Sequence, residues 1–176
     1  RLTIFRSVSD FGLPRSQNRS QNGGYTGPMA QRTVLLTGGA GYIGSHTAVE
    51  LLNAGWKVVV VDNFANSTPV VFDRIADQVP AREQRRYECD IADVAQLNTI
   101  LTDEQVDSVV HFAGLKAVGE SVEQPLRYYT VNVGGTLALL NAMDAAAVRR
   151  LVFSSSCTVY GAPDEAPLDE SAPLGA

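Results

Sequence analysis

Thr37-Gly38-Gly39-Ala40-Gly41-Tyr42-Ile43-Gly44-Ser45 follows the apolar run Val34-Leu35-Leu36 and leads into a helical-looking stretch over 46–54. The order is strand, glycine turn, helix start. Such an order turns the free N–H groups and positive dipole end of a helix toward a diphosphate. Gly38 permits the turn, Gly41 lets backbone approach phosphate without an intervening Cβ, and Gly44 allows the helix to pack closely on the sheet. A second apolar run, Val58-Val59-Val60-Val61, closes on Asp62, near the spacing of about 20 residues expected of a ribose-binding acid. Together these residues read as a dinucleotide site.

The 176 residues suffice for one domain with a sizeable core. No apolar run approaches the roughly 20 residues of a membrane span, so no membrane partner is expected. The net charge of −5 argues against a nucleic-acid partner, which needs a basic face. Two cysteines, Cys89 and Cys157, stand far apart and suit a reducing, cytoplasmic setting. Charge is uneven: residues 1–31 carry +3 and residues 32–176 carry −8. The first stretch is rich in Arg, Ser, Asn, Gln and Gly and reads as a disordered extension, either a transit-like segment or an upstream remnant. Residues 32–176 are the folded domain. If residues 1–28 target an organelle, import replaces the cytoplasmic setting.

Beyond residue 31 apolar runs and helical patterns alternate. Strands are expected over 33–37, 57–62, 86–90, 108–113 and 151–155, and helices over 43–53 and 70–79. Another helix is capped by Asp93, and a long one from Val118 to Ala147 is interrupted at Pro125. Continuously apolar strands joined by helices define an α/β fold, a doubly wound parallel sheet of Rossmann type. Ligands of such sheets bind beyond the carboxyl ends of the strands. Those ends carry the glycine turn, Asp62-Asn63, Asp90-Ile91, Phe112-Ala113-Gly114-Leu115-Lys116 and the segment from Ser154 to Gly161.

Asp62 can accept both ribose hydroxyls, and its charge opposes a 2′-phosphate, which favours NAD over NADP. Asn63, Asn66 and Ser67 are either adenosine partners or turn formers. Lys116 could meet the cofactor or simply be solvated. Asn132, mid-helix, calls for something its amide can hold. No nucleophile elbow surrounds Ser156, so a hydrolase is not expected; Ser156 and Thr158 suit hydrogen bonding to a substrate, the alternative being that the serines of 154–156 satisfy local backbone groups. His46 and His111 read as packing residues. No metal-ligand spacing is present.

Gly38 to Gly44, Asp62-Asn63, the block from Phe112 to Ser121, Tyr128-Tyr129 with Asn132, and Ser154 to Gly161 together resemble the UDP-glucose (UDP-galactose) 4-epimerases of the extended short-chain dehydrogenase/reductase family. The resemblance runs from about Arg32 to the last residue. It implies an isomerase of galactose metabolism: a tightly held NAD removes a hydride from the 4-position of a UDP-hexose, a 4-keto sugar turns over, and the hydride returns to its other face. It further implies Tyr42 and Ile43 over the pyrophosphate, Asp62, Asn63, Asn66 and Ser67 around the adenosine ribose, and Asp90 and Ile91 beside the adenine. Phe112, Ala113, Gly114, Leu115 and Lys116 would line the cofactor, with Asn132 behind the nicotinamide. Ser156 would be the catalytic and substrate-binding hydroxyl, Thr158 its neighbour, and the parent protein a homodimer.

One part of the family pattern is missing. The family's base is a Tyr in a Tyr-x-x-x-Lys motif, and no Tyr here has Lys four places on: Tyr42 is followed by His46 and Tyr160 by Asp164. The expectation is an amino-terminal fragment, inactive alone, with the sheet incomplete at its carboxyl-terminal end. A UDP-pentose or UDP-uronate 4-epimerase would share this half. A non-catalytic NAD-sensing module is the alternative from another class.

Overall fold

The computed structural model describes residues 3–5, 31–80, 82–161, 167–169 and 171–175. Its strands are β1 (Thr3–Phe5), β2 (Thr33–Thr37), β3 (Lys57–Asp62), β4 (Gln84–Glu88), β5 (Ser108–His111) and β6 (Arg150–Phe153). The helices are α1 (Tyr42–Asn53), α2 (Val70–Gln78), α3 (Val94–Asp103), α4 (Val118–Glu123), α5 (Pro125–Tyr128) and α6 (Gly135–Ala145). A π-helical turn, Tyr129–Gly134, joins α5 to α6, and a 3₁₀ turn, Cys157–Tyr160, follows β6.

The sheet runs β1-β6-β5-β2-β3-β4 with every pairing parallel. From β2 the chain winds outward through β3 and β4, then returns to the other side of β2 as β5 and β6. Strand order therefore reverses between β2 and β5, and the crevice above that point is where a doubly wound fold takes its ligand.

Side chains alternate across the pleat, and the alternation builds two cores. Val34, Leu36, Val58 and Val60 face Leu51 and Leu52 of α1 and Phe72 and Ile75 of α2. Leu35, Val59, Val61 and Val109 face Leu97 and Leu101 of α3 and Leu139 and Met143 of α6. Because both faces are covered, β2 is buried at every position. Asp93 caps α3 as expected, accepting from the Gln96 amide at 2.9 Å.

Several boundaries differ from the sequence expectation. β4 lies two residues earlier than 86–90, because Asp90 forms a turn: its Oδ1 accepts from Ala92 N and its carbonyl from Asp93 N. β5 ends at His111 rather than residue 113. Phe112 N still bonds the Thr37 carbonyl at 3.0 Å, after which the chain peels away to form a loop. β6 stops at Phe153 rather than residue 155. Pro125 occupies the first position of α5, where its missing N–H costs nothing, so it starts a helix as well as interrupting one. The expected long helix contains the π turn and ends at Ala145.

The expectation that residues 1–31 contribute nothing to the fold fails at Thr3–Phe5. These residues pair with Arg150, Leu151 and Val152 and so occupy the outer edge of β6. An edge strand otherwise carries a row of unpaired N–H and C=O groups, and Thr-Ile-Phe is a good strand former. The rest of that expectation, through residue 30, lies outside the described residues.

Candidate functional site

A cleft of about 530 Å³ opens at the strand-order reversal. Gly38, Gly41, Tyr42, Ile43 and Gly44 form one lip, and Phe112, Ala113, Gly114, Leu115 and Lys116 form the other. Asp62, Asn63 and Asn66 close it beyond β3, and Asp90 and Ile91 beyond β4.

The glycine lip is shaped by contacts that a Cβ would break. Gly38 has φ +65°, and a Cβ there would stand 2.7 Å from Ala113 N, so this residue brings the two lips together. A Cβ on Gly44 would meet the Gly38 carbonyl at 2.5 Å. Gly44 thus lets α1 pack on the turn itself, rather than on the sheet as its spacing suggested. A Cβ on Gly41 would meet the Gly38 carbonyl at 3.2 Å and, among the described residues outside its own helix and chain neighbours, nothing else within 4 Å. The start of α1 has no side-chain cap and no acid in its first turn, unlike the Asp93-capped α3. Its orphan amides remain available to an anion. Above them Tyr42 is 82% exposed, its ring edge-on to His46 at 4.9 Å; His46 is itself exposed rather than packed in the core.

Asp62 is 7% exposed at the end of β3. Its Oδ2 accepts from Ala40 N at 3.0 Å, and its Oδ1 accepts from Phe64 N and Ser67 Oγ, both at 2.9 Å. Each carboxylate oxygen takes about two hydrogen bonds, so Oδ1 is filled and Oδ2 retains one lone pair. The carboxylate can receive one ribose hydroxyl, not both. Ser67 is committed to Asp62 and does not line the cleft. Asn63 reaches across to Asp90, donating from Nδ2 to Oδ2 at 2.9 Å, and joins the ends of β3 and β4. Phe64 has φ 55°, a left-handed backbone that the Asp62 hydrogen bond helps to hold.

On the opposite lip Lys116 is exposed and forms no ion pair among the described residues. Asn132 does not line the cleft. Its Oδ1 accepts from Leu115 N at 2.8 Å and its Nδ2 donates to the Leu115 carbonyl at 3.0 Å, so the amide holds the lip from behind. Val131, one residue earlier in the π turn, faces the cleft instead. Val61, Ala65, Cys89, Arg127 and Val131 line it without having been singled out in the sequence. The first three flank residues that were. Arg127 stands in α5 and Val131 in the π turn, on a stretch where no sequence motif marked either. Arg127 is paired with Glu120.

Burial, then the charges of Asp93 and Asp90, push the Cys89 thiol up to about 11. Ser156 and Thr158 lie outside the cleft lining, in the 3₁₀ turn after β6. Thr158 Oγ1 donates to Ser156 Oγ at 3.0 Å and Thr158 N approaches the same oxygen at 3.4 Å. With its acceptor capacity taken up, the Ser156 hydroxyl is left to act as a donor.

Fold and cleft define a dinucleotide-binding α/β domain of Rossmann type. Residues 34–176 match the family described as the NAD dependent epimerase/dehydratase family, and the chain belongs to it. The chain is 54% identical over 142 residues to the UDP-glucose 4-epimerase of Haemophilus influenzae, a match covering 81% of this chain and 42% of the relative. With the Bacillus subtilis UDP-glucose 4-epimerase the identity is 48% over 143 residues, with the same coverage. Among solved structures, a UDP-glucose 4-epimerase from Bifidobacterium longum in complex with NAD+ and UDP superposes with TM-score 0.78 at 48% identity, over 81% of this chain and 42% of that one. A UDP-glucose-4-epimerase from Stenotrophomonas maltophila, with bound NAD and formylated UDP-arabinopyranose, gives TM-score 0.78 at 45% identity, over 83% and 43%. The chain thus spans about 42% of the length of these relatives.

Proposed function

We propose that this chain is the dinucleotide-binding half of an NAD-dependent UDP-glucose 4-epimerase, which interconverts UDP-glucose and UDP-galactose through a 4-keto sugar in galactose metabolism. The observation that carries the reading is the two-lipped cleft at the strand-order reversal, closed by Asp62, in a chain about half identical to such enzymes. NAD, when bound, would supply a reversible hydride acceptor for the sugar's 4-position.

In this reading the uncapped first turn of α1 receives the diphosphate, and the remaining lone pair of Asp62 Oδ2 takes one ribose hydroxyl. The Asp62 charge repels a 2′-phosphate. Lys116, with no carboxylate partner among the described residues, serves the other ribose. Ser156, with Thr158 donating to it, offers its hydrogen to the reacting sugar oxygen. A Tyr-x-x-x-Lys pair does not occur in residues 1–176, and this chain by itself turns over no UDP-sugar. A non-catalytic NAD sensor would have no use for the paired hydroxyls after β6. A UDP-pentose substrate is the second reading, supported by the arabinopyranose derivative held by the Stenotrophomonas relative.

Leu126, Tyr129, Val133 and Leu137 form an exposed apolar row along α5, the π turn and α6. This row supports a homodimeric parent, which light scattering on that protein tests. The free thiol of Cys89 suits a reducing cytoplasm.

Calorimetry with NAD and NADP on the 176-residue chain tests the cofactor half: NAD binds at least about tenfold more tightly, a difference of about 1.4 kcal/mol. Absence of any NAD binding overturns the reading. In the parent enzyme, Ser156→Ala lowers kcat about a hundredfold while NAD stays bound. Unchanged turnover removes Ser156 from the mechanism.

A further inference from the structure

Three polar side chains cross the core between the two lips of the cleft. Thr37 ends β2 immediately ahead of Gly38, His111 ends β5 immediately ahead of the 112–116 loop, and Thr136 stands at the start of α6. Thr37 is fully buried and His111 is 2% exposed. His111 Nδ1 lies 2.5 Å from Thr37 Oγ1, and its Nε2 lies 3.0 Å from Thr136 Oγ1. Thr136 Oγ1 is 2.6 Å from the carbonyl of Asn132 in the π turn.

The proton positions follow from the far end of this chain. A carbonyl can only accept, so the Thr136 hydroxyl spends its hydrogen on Asn132. The Thr136 oxygen then accepts from His111, which places the imidazole proton on Nε2. A neutral imidazole has one N–H, so Nδ1 accepts from the Thr37 hydroxyl. The Thr37 oxygen is in turn approached by the Ala113 amide at 3.4 Å. Every donor has an acceptor in a single tautomer. The opposite tautomer sets two lone pairs against each other at Nε2 and Thr136. Burial, then the Lys116 charge, holds His111 neutral, its pKa lowered to about 4.

The two ends of this relay meet at one place. Asn132, whose carbonyl receives the last hydrogen bond, grips Leu115 with its side chain. The glycine turn and the 112–116 loop are thereby both fixed relative to the π turn. We propose that His111, as its Nε2–H tautomer, is the positioning residue that sets the gap between the two lips of the dinucleotide cleft. His111 does not itself line the cleft, so it acts through Thr37 and through Thr136 with Asn132. The ligand named here rests on the NAD reading above.

The test uses the ¹⁵N-labelled 176-residue chain, with His111 assigned by long-range ¹H–¹⁵N correlation. In the native chain the ring shows protonated Nε2 and bare Nδ1. Thr136→Val, close to isosteric, mixes the tautomers, speeds exchange of the Leu115 amide about tenfold and weakens NAD about tenfold by calorimetry. Thr136→Ser restores all three readouts. A native Nδ1–H tautomer overturns the proposal without need of any variant. So does a Thr136→Val chain with native Leu115 protection. If Leu115 protection depends on Thr136 and the native ring is Nε2–H, yet NAD does not bind, the NAD reading falls and the positioning role stands.

Discussion

Asn132 pairs with both backbone groups of Leu115, 17 residues away, accepting its N–H at 2.8 Å and donating to its C=O at 3.0 Å. A strand neighbour would offer the same two groups. Among the described residues the loop after β5 has no such neighbour, and one amide side chain takes that place. Nearby, a Cβ on Gly114 would stand 3.2 Å from Asn132 Oδ1, so the fit leaves little room.

Removing this clamp leaves the Leu115 groups unpaired at the rim of the cleft. Asn132→Ala is expected to cost about 1–3 kcal/mol of stability in urea unfolding. NAD affinity should fall about tenfold as the lip loses its fixed position, read by calorimetry. Asn132→Asp keeps the acceptor for the Leu115 N–H but sets a carboxylate oxygen against its carbonyl. It should be no better than the alanine variant.

Asp62 holds Ala40, Phe64 and Ser67 in place, and in the proposed reading it also receives a ribose hydroxyl; two substitutions test these roles. Asp62→Ala strips hydrogen bonds from Ala40 N, Phe64 N and Ser67 Oγ and should lower stability by about 1–3 kcal/mol while weakening NAD. Ser67→Ala frees Oδ1 without touching the carboxylate. NAD should then bind within about fivefold of native, since the carboxylate keeps its bonds to Ala40 N and Phe64 N and a typical hydrogen bond is worth a net of about 1 kcal/mol. Parallel titrations with NAD and NADP read both effects, and Asp62→Ala alone should narrow the preference between the two cofactors.

His111 makes stability depend on pH. Its folded-state pKa is about 4, lowered by burial from an ordinary 6.5. Between those values the unfolded chain binds a proton that the folded chain refuses, so stability is lost as pH falls from 6.5 toward 4. The loss from this group is about 3 kcal/mol. Urea unfolding at pH 7, 5.5 and 4.5 should trace it, and the ring of His111 should remain neutral by NMR at pH 5 in the folded chain.

Cys89 sits at the floor of the cleft, 4% exposed, with its thiol pKa near 11. At pH 8 only about one thiol in a thousand is ionised, and the thiolate is the reactive form. Iodoacetamide should label Cys89 at least about a hundredfold more slowly than free cysteine, followed by peptide mass mapping. Saturating NAD should slow the labelling further.

Sequence alone determined the architecture and most of the cleft. Strand alternation, the Gly38-to-Gly44 turn, the Asp62 spacing and the Asp93 cap are local relationships within a few residues or one β-α-β unit, and local geometry fixes them whatever surrounds them. The same logic placed Asp90, Ile91 and residues 112–116 on the rim, because the carboxyl ends of parallel strands share one edge. Tertiary structure decided who stands opposite whom. The grip of Asn132 on Leu115, the 74-residue span from Thr37 to His111 and the further 25 to Thr136 depend on how α6 packs on the sheet and on a π turn that shifts its side chains by one residue. Asp62 looked free for two ribose hydroxyls until folding brought Ala40, Phe64 and Ser67 to it. Thr3–Phe5 looked like part of a polar leader until β6 offered an open edge. Spacing along a chain prescribes a turn or a strand, but hydrogen bonds between distant residues form only after hydrophobic burial has chosen which surfaces meet.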